Sequence, residues 1–184
     1  MRAIRHSLAI MVLLWLAGCA APLANNRCTQ LPIGGYCLQS SQAVAARSFE
    51  QQVQVTFVGR TDQLLTAIEV DQDGLRLVAL TPLGQVLLQL VDNNREIKVE
   101  RALSDRLEAV QIVGLLQMAL WPATSVSTGL QGGLVLEESS ASRRIMSGAQ
   151  AVLAITYDSG RVPSDNYQLR LPTGGLTLDV KVLP

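Results

Sequence analysis

The sequence predicts a mainly β protein, a half-open antiparallel β-barrel with one apolar helix buried in its concavity. Short stretches of alternating apolar and polar residues recur from Gln51 to Val182, with turn residues between them. One longer apolar run has helical length and helical stop signals. The composition supplies a core: of 184 residues, 48% are apolar and 16% charged, with 15 basic residues against 15 acidic ones. That length fits one domain. Disorder is excluded, since it needs low hydrophobicity and high charge. A nucleic-acid partner is excluded as well. No basic stripe is available to release phosphate counterions, and aromatics for base stacking are only 4% of the chain.

At the N-terminus, Arg2 and Arg5 precede the apolar run Leu8 to Ala17. As a helix this run would be about 15 Å long, against a bilayer core of roughly 30 Å. It is too short to span and has the layout of a secretory signal. Leu16-Ala17-Gly18-Cys19 resembles the lipobox of bacterial lipoproteins, which implies cleavage before Cys19 and acylation of that cysteine. Residues 1–18 then form a removed signal peptide, 19–27 an acylated tether and 28–184 a single β-rich domain. Several acyl chains anchor far more firmly than one. Ala20 stands where aspartate would favour inner-membrane retention, so the resemblance implies a lipid anchor in the outer membrane with the domain facing the periplasm. Membrane lipid, reached through that anchor, is the first expected partner.

With Cys19 lipidated, Cys28 and Cys37 remain as an even pair in an oxidising compartment. Their spacing is far wider than C-x-x-C, so a structural disulfide is expected rather than a redox pair. Two free thiols are the alternative.

Gln51 to Gly59 alternates at positions 53, 55 and 57, the period of a half-buried strand. Leu64 to Val70, Leu75 to Thr81 and Gln85 to Val91 follow as strands, with Asp71-Gln72-Asp73-Gly74 a turn in which Gly74 is expected at positive φ. Asp92-Asn93-Asn94 is another turn, before a short strand at Ile97 to Val99. A helix is expected from Asp105, as N-cap of a capping box with Glu108, to Leu120. Its apolar residues surround most of its girth, so it is buried on several sides. Trp121-Pro122 ends it. Thr124 to Gly133 reads as a linker, and strands resume at Leu134–Leu136, Arg144–Met146, Ala151–Tyr157, Tyr167–Leu171 and Leu176–Val182. A sheet curved around such a helix closes only partly and leaves room for a cavity, which Val113, Leu116, Leu120 and Trp121 are expected to line.

The familiar catalytic groups are missing. The one histidine, His6, leaves with the signal peptide, so there is no Ser-His-Asp triad, no Cys-His pair and no histidine metal site. No P-loop, G-x-G-x-x-G or G-x-S-x-G is present. Asp71 and Asp73 lack the later ligands of a calcium loop. Glu137-Glu138 and Arg143-Arg144 flank one turn and are expected to pair across strands as solvated surface charge. Catalytic residues, metal ligands and cofactors are accordingly expected to be none, and the protein is read as a non-enzyme.

Thr81-Pro82-Leu83-Gly84, followed by the apolar strand Val86-Leu87-Leu88-Gln89-Leu90, resembles the outer-membrane receptor of the lipoprotein localisation (Lol) pathway. The helix ending in Trp121-Pro122 and the runs Ile155-Thr156-Tyr157, Tyr167 to Leu171 and Leu176 to Val182 continue the likeness in order. A closer resemblance is to an uncharacterised outer-membrane lipoprotein family associated with aryl-polyene gene clusters, which shares the Arg-Arg-Ile and Ile-Thr-Tyr runs. Together these cover most of Gln51 to Pro184. They imply the carrier and receptor fold of that pathway, with an apolar cavity for acyl chains. The Cys28–Cys37 staple and the scarcity of aromatics depart from the receptor.

The function expected is binding of an acylated or polyene-like hydrophobic cargo and assistance in its transfer to the membrane, with a periplasmic carrier protein as a second partner. A structural or accessory envelope lipoprotein acting through a protein partner is the alternative. Leu83 is the residue to watch. Pro82 and Gly84 suit positions i+1 and i+3 of a turn, leaving Leu83 at the tip, where polar residues are usual. In the receptor that this resembles, the matching leucine protrudes and delivers cargo to the membrane; otherwise Leu83 folds back as core.

Overall fold

Thirteen strands, two α-helices and one short 3-10 helix (Ser41–Ala43) follow one another in the computed structural model, which describes residues 27–103 and 108–184. The strands are β1 (Cys28–Gln30), β2 (Gly35–Cys37), β3 (Arg47–Phe57), β4 (Arg60–Val70), β5 (Leu75–Leu80), β6 (Val86–Asp92) and β7 (Ile97–Ala102). Then come α1 (Ala109–Leu120), α2 (Ala123–Gly129), β8 (Leu130–Gln131), β9 (Val135–Glu138), β10 (Ser142–Ser147), β11 (Gln150–Tyr157), β12 (Tyr167–Leu171) and β13 (Leu176–Val182). Signal, lipobox and tether residues up to Asn26 lie outside the described residues, as does Asp105.

Ten strands form one antiparallel sheet in the order β7-β6-β5-β4-β3-β13-β12-β11-β10-β9. It consists of two five-stranded meanders joined where β13 pairs with β3, with Val53 opposite Val180. The two ends of the sheet, β7 and β9, do not pair, so the barrel stays half open. Register shifts at Ala79/Leu80, Gln89/Leu90 and Ile145/Met146 supply bulges, which bend strands and increase their twist. β1, β2 and β8 make a small second sheet.

Helix α1 lies against the inner face and is buried from Val113 to Leu120. Gly114 permits its close approach to the β1–β2 hairpin, since a Cβ there would sit 3.2 Å from the Thr29 methyl and 3.4 Å from the Tyr36 ring. Its one polar residue in that stretch, Gln117, is fully used. Its Oε1 accepts from Tyr36 Oη at 3.2 Å and from the Gln39 amide at 2.8 Å, and its Nε2 donates to the Gln39 carbonyl. Arg27, the last residue assigned to the tether, is itself buried and ion-paired with Asp92.

Several details differ from the sequence reading. The helix starts at Ala109, with Glu108 as an extended N-cap that makes no side-chain capping bond. Glu108 therefore does not serve as the third helical residue of a capping box. The expected linker is helix α2 followed by β8, because Val126 finds full burial and the Val126 amide is satisfied by the Pro122 carbonyl. Gly74 is not at positive φ. It is required because a Cβ there would lie 2.0 Å from the Asp92 carbonyl oxygen. Arg143 is not surface charge, since it is 1% exposed and lies beneath the end of α1.

Candidate cavity and its apolar rim

A cavity of about 240 Å³ lies between the inner face of β3–β6, β13 and one side of α1. Val53, Leu64, Ile68, Leu77, Leu88 and Val180 supply most of its wall, Ile112 and Leu116 supply the helical side, and none of its lining residues is charged. Ile112 and Leu116 are four residues apart and so share one helix face. An apolar cavity of ~150 Å³ already holds benzene, so this space has room for part of an acyl or polyene chain.

A second hollow of about 400 Å³ continues it, lined by Val55, Phe57, Asp62, Leu171, Leu176, Gln111 and Pro32 among others. Strand periodicity shows that the two are in series. Val53 and Val55, Leu64 and Asp62, Tyr167 and Leu171, and Val180 and Leu176 each have the same parity along one strand, hence face the same side. The second hollow ends at the β3–β4 and β12–β13 turns.

The ends of the half-barrel differ in chemistry. At the end where the second hollow opens stand Phe57 and Val58 at the β3–β4 tip, Leu83 at the β5–β6 tip, Leu103 after β7 and Val135 at the start of β9. All five are exposed: Leu83 is 97% and Val58 78% accessible. Val58 also has φ +49, a left-handed conformation uncommon for a β-branched residue. The turns at the other end carry Asp71, Asp73, Asn93, Asn94 and Arg95 instead.

The Leu83 turn is rigid. The Gly84 amide donates to the Thr81 carbonyl at 2.9 Å, the Gln85 amide donates to Thr81 Oγ1 at 3.1 Å, and Gly84 takes φ +81. Leu83 does not fold back onto a strand.

Of the four residues expected to line the cavity, Leu116 does so. Val113 is fully buried in the packed core, Trp121 is buried with its indole N–H donating to the Ser40 carbonyl, and Leu120 faces a different, polar groove beside Arg47 and Asp165. Because α1 is apolar on nearly all sides, periodicity alone does not separate its cavity face from its core faces. Ile112, Gln51 and Tyr167 also line the cavity, beyond the residues expected from the sequence. The strand parity Gln51-Val53-Val55 and Tyr167-Leu169-Leu171 carries the signal for the last two.

The end of α1 is held by Arg143. Its Nη1 donates to the carbonyls of Met118, Ala119 and Trp121 at 3.2, 3.3 and 2.6 Å, while its Nε donates to Glu138 at 2.6 Å. These carbonyls lack intrahelical partners, and the negative end of a helix favours a cation. Tyr157 Oη also donates to the Ala119 carbonyl, at 2.7 Å, and burial pushes its phenol up to about 12 against the pull of Arg143. Burial raises Tyr36 and Tyr167 in the same direction. All three are neutral hydroxyls under ordinary conditions.

Cys28 and Cys37 are bonded and directly opposite across the β1–β2 hairpin, as the cysteine arithmetic anticipated. This hairpin carries Gln30 and Pro32 to the wall of the second hollow. Among the described residues no group of three His, Cys, Asp or Glu side chains is arranged to hold a metal.

No curated protein matches the chain. Residues 48–184, which span β3 to β13 together with both helices and contain every residue lining the first cavity, match the family described as "Protein of unknown function (DUF3261)", and the chain belongs to that family.

Proposed function

We propose that this protein is a periplasm-facing outer-membrane lipoprotein, anchored through Cys19, that binds an acylated or polyene-like hydrophobic cargo between sheet and helix and assists its transfer to the membrane. The observation that carries this reading is the uncharged, mostly apolar cavity, continued by a second hollow to the one end of the barrel where exposed apolar tips collect. Binding needs no covalent chemistry. Apolar burial at ~25 cal/mol per Å² drives it. Burying a single leucine yields roughly 1.5–3 kcal/mol, so Leu83 with its neighbours on the rim suffices for a brief contact with a bilayer.

The lipobox, the Pro-Leu-Gly turn and the order of motifs to the C-terminus support placing the chain beside the outer-membrane receptor of the Lol pathway and with lipoproteins of aryl-polyene gene clusters. A periplasmic carrier handing over cargo fits the same scheme. An accessory lipoprotein working only through a protein partner would have no use for a hollow core.

The test is native mass spectrometry of unacylated Cys19→Ala protein purified without detergent. A co-purifying hydrophobic molecule is expected. Ligand-free protein that also takes up no fluorescent fatty acid would overturn the proposal.

A further inference from the structure

The first cavity is not apolar throughout. Gln51, Thr66 and Tyr167 line it as well; Gln51 and Thr66 are opposite each other across β3 and β4, with Ile68 and Leu77 one step farther from the rim. Along β3, Gln51 is six residues from Phe57, about 20 Å at ~3.3 Å per residue, so these polar groups lie deep in the barrel.

Two of these side chains have unused hydrogen-bonding capacity. Tyr167 is 4% exposed and Gln51 1%. Among the described residues the Tyr167 hydroxyl has no hydrogen-bond partner, and only the amide nitrogen of Gln51 is engaged, donating to the Asp165 carbonyl at 3.3 Å. No fully enclosed side-chain oxygen or nitrogen lacks a partner. The Tyr167 hydroxyl and Gln51 Oε1 are therefore open to space, and in side chains this buried that space is the cavity they line. A donor and an acceptor await a ligand within it.

We infer that the cargo is a linear amphiphile that carries an uncharged hydroxyl, of an alcohol or a phenol, seated between Tyr167 and Gln51 with its apolar chain running toward the rim. A hydroxyl both donates and accepts, which matches Gln51 Oε1 as acceptor and Tyr167 as donor. An ionised carboxylate or phosphate does not fit. No lining residue is charged, so the anion would lose its hydration without gaining a counter-ion. Arg47, the nearest guanidinium to Tyr167 in charge effect, is already paired with Asp165 at 2.8 Å.

This inference rests on the cavity reading above, and one titration separates the two. The all-hydrocarbon polyene 1,6-diphenylhexatriene reports occupancy of the cavity, and dodecan-1-ol or dodecanoate at pH 9 is added to displace it. Tyr167→Phe removes a hydroxyl that has no protein partner, so the fold is kept, and Gln51→Leu provides a second variant. Dodecan-1-ol is expected to displace the polyene more strongly than dodecanoate. Each substitution is expected to weaken the alcohol about five- to tenfold, one lost hydrogen bond, while affinity for diphenylhexatriene changes less than twofold. Unchanged displacement by dodecan-1-ol in both variants, or dodecanoate equal to the alcohol, would overturn the hydroxyl assignment and leave the cavity reading standing. Failure of the wild-type protein to bind diphenylhexatriene would overturn both.

Discussion

Arg143 and Glu138 face each other across β10 and β9, and their 2.6 Å contact fixes a guanidinium whose other arm closes the last turn of α1. The neighbouring pair Arg144–Glu137 has the same strand register at 3.2 Å, yet both side chains are about half exposed. The two pairs provide a controlled comparison. Arg143→Met leaves Glu138 and the carbonyls of Met118 and Trp121 without their donor, while Ala119 keeps Tyr157, and stability should fall by about 3 kcal/mol. Arg144→Met should cost less than about 1 kcal/mol. Urea unfolding midpoints of the two variants check this; similar losses would show that the buried arginine does not hold the helix.

Legibility follows the same logic. β3 to β6 were visible because period-2 patterns end in turn residues such as Asp71, whose carboxylate accepts from the amides of Asp73 and Gly74. The cross-strand pairing of Glu137-Glu138 with Arg143-Arg144 was visible too. The burial of Arg143 was not, because a charge in a sequence does not reveal that helix-end carbonyls lie above it. Helix α2 was hidden by its composition, Ala-Thr-Ser-Val-Ser-Thr-Gly, where tertiary packing of Val126 overrides weak propensity. The cavity face of α1 was hidden by the opposite problem, since too many apolar residues leave no polar side to set the phase. Leu83 was legible because proline and glycine determine which turn position a leucine occupies.

The Cys28–Cys37 bridge closes a small loop, which the chain-entropy argument values at roughly 2.5–3 kcal/mol. A double Cys28→Ser, Cys37→Ser variant should lose about that much in urea unfolding. Intact mass of periplasmic protein should be lower than the fully reduced mass by two hydrogens. Two alkylatable thiols in unreduced material would contradict the bridge.

Cys19→Ala should yield unprocessed or soluble protein that no longer floats with membranes. Retained flotation together with palmitate labelling would remove the lipobox from the account.

Leu83→Glu alters a side chain that contacts almost only solvent, so folding stability should stay within ~0.5 kcal/mol. Transfer of preloaded diphenylhexatriene to liposomes should be abolished, with binding itself unchanged. Transfer at the wild-type rate would leave the rim without a role.

The central claim is that the space between sheet and helix receives an apolar chain, and filling it tests this most directly. Ala79 lines the cavity and is 7% exposed, so Ala79→Trp places an indole in the ≈ 240 Å³ that a ligand would occupy. Equilibrium fluorescence titration with diphenylhexatriene should give saturable binding to the wild-type protein and at least tenfold weaker binding to a folded Ala79→Trp variant. Equal affinity in the two proteins, or no saturable binding to the wild type, would contradict the account.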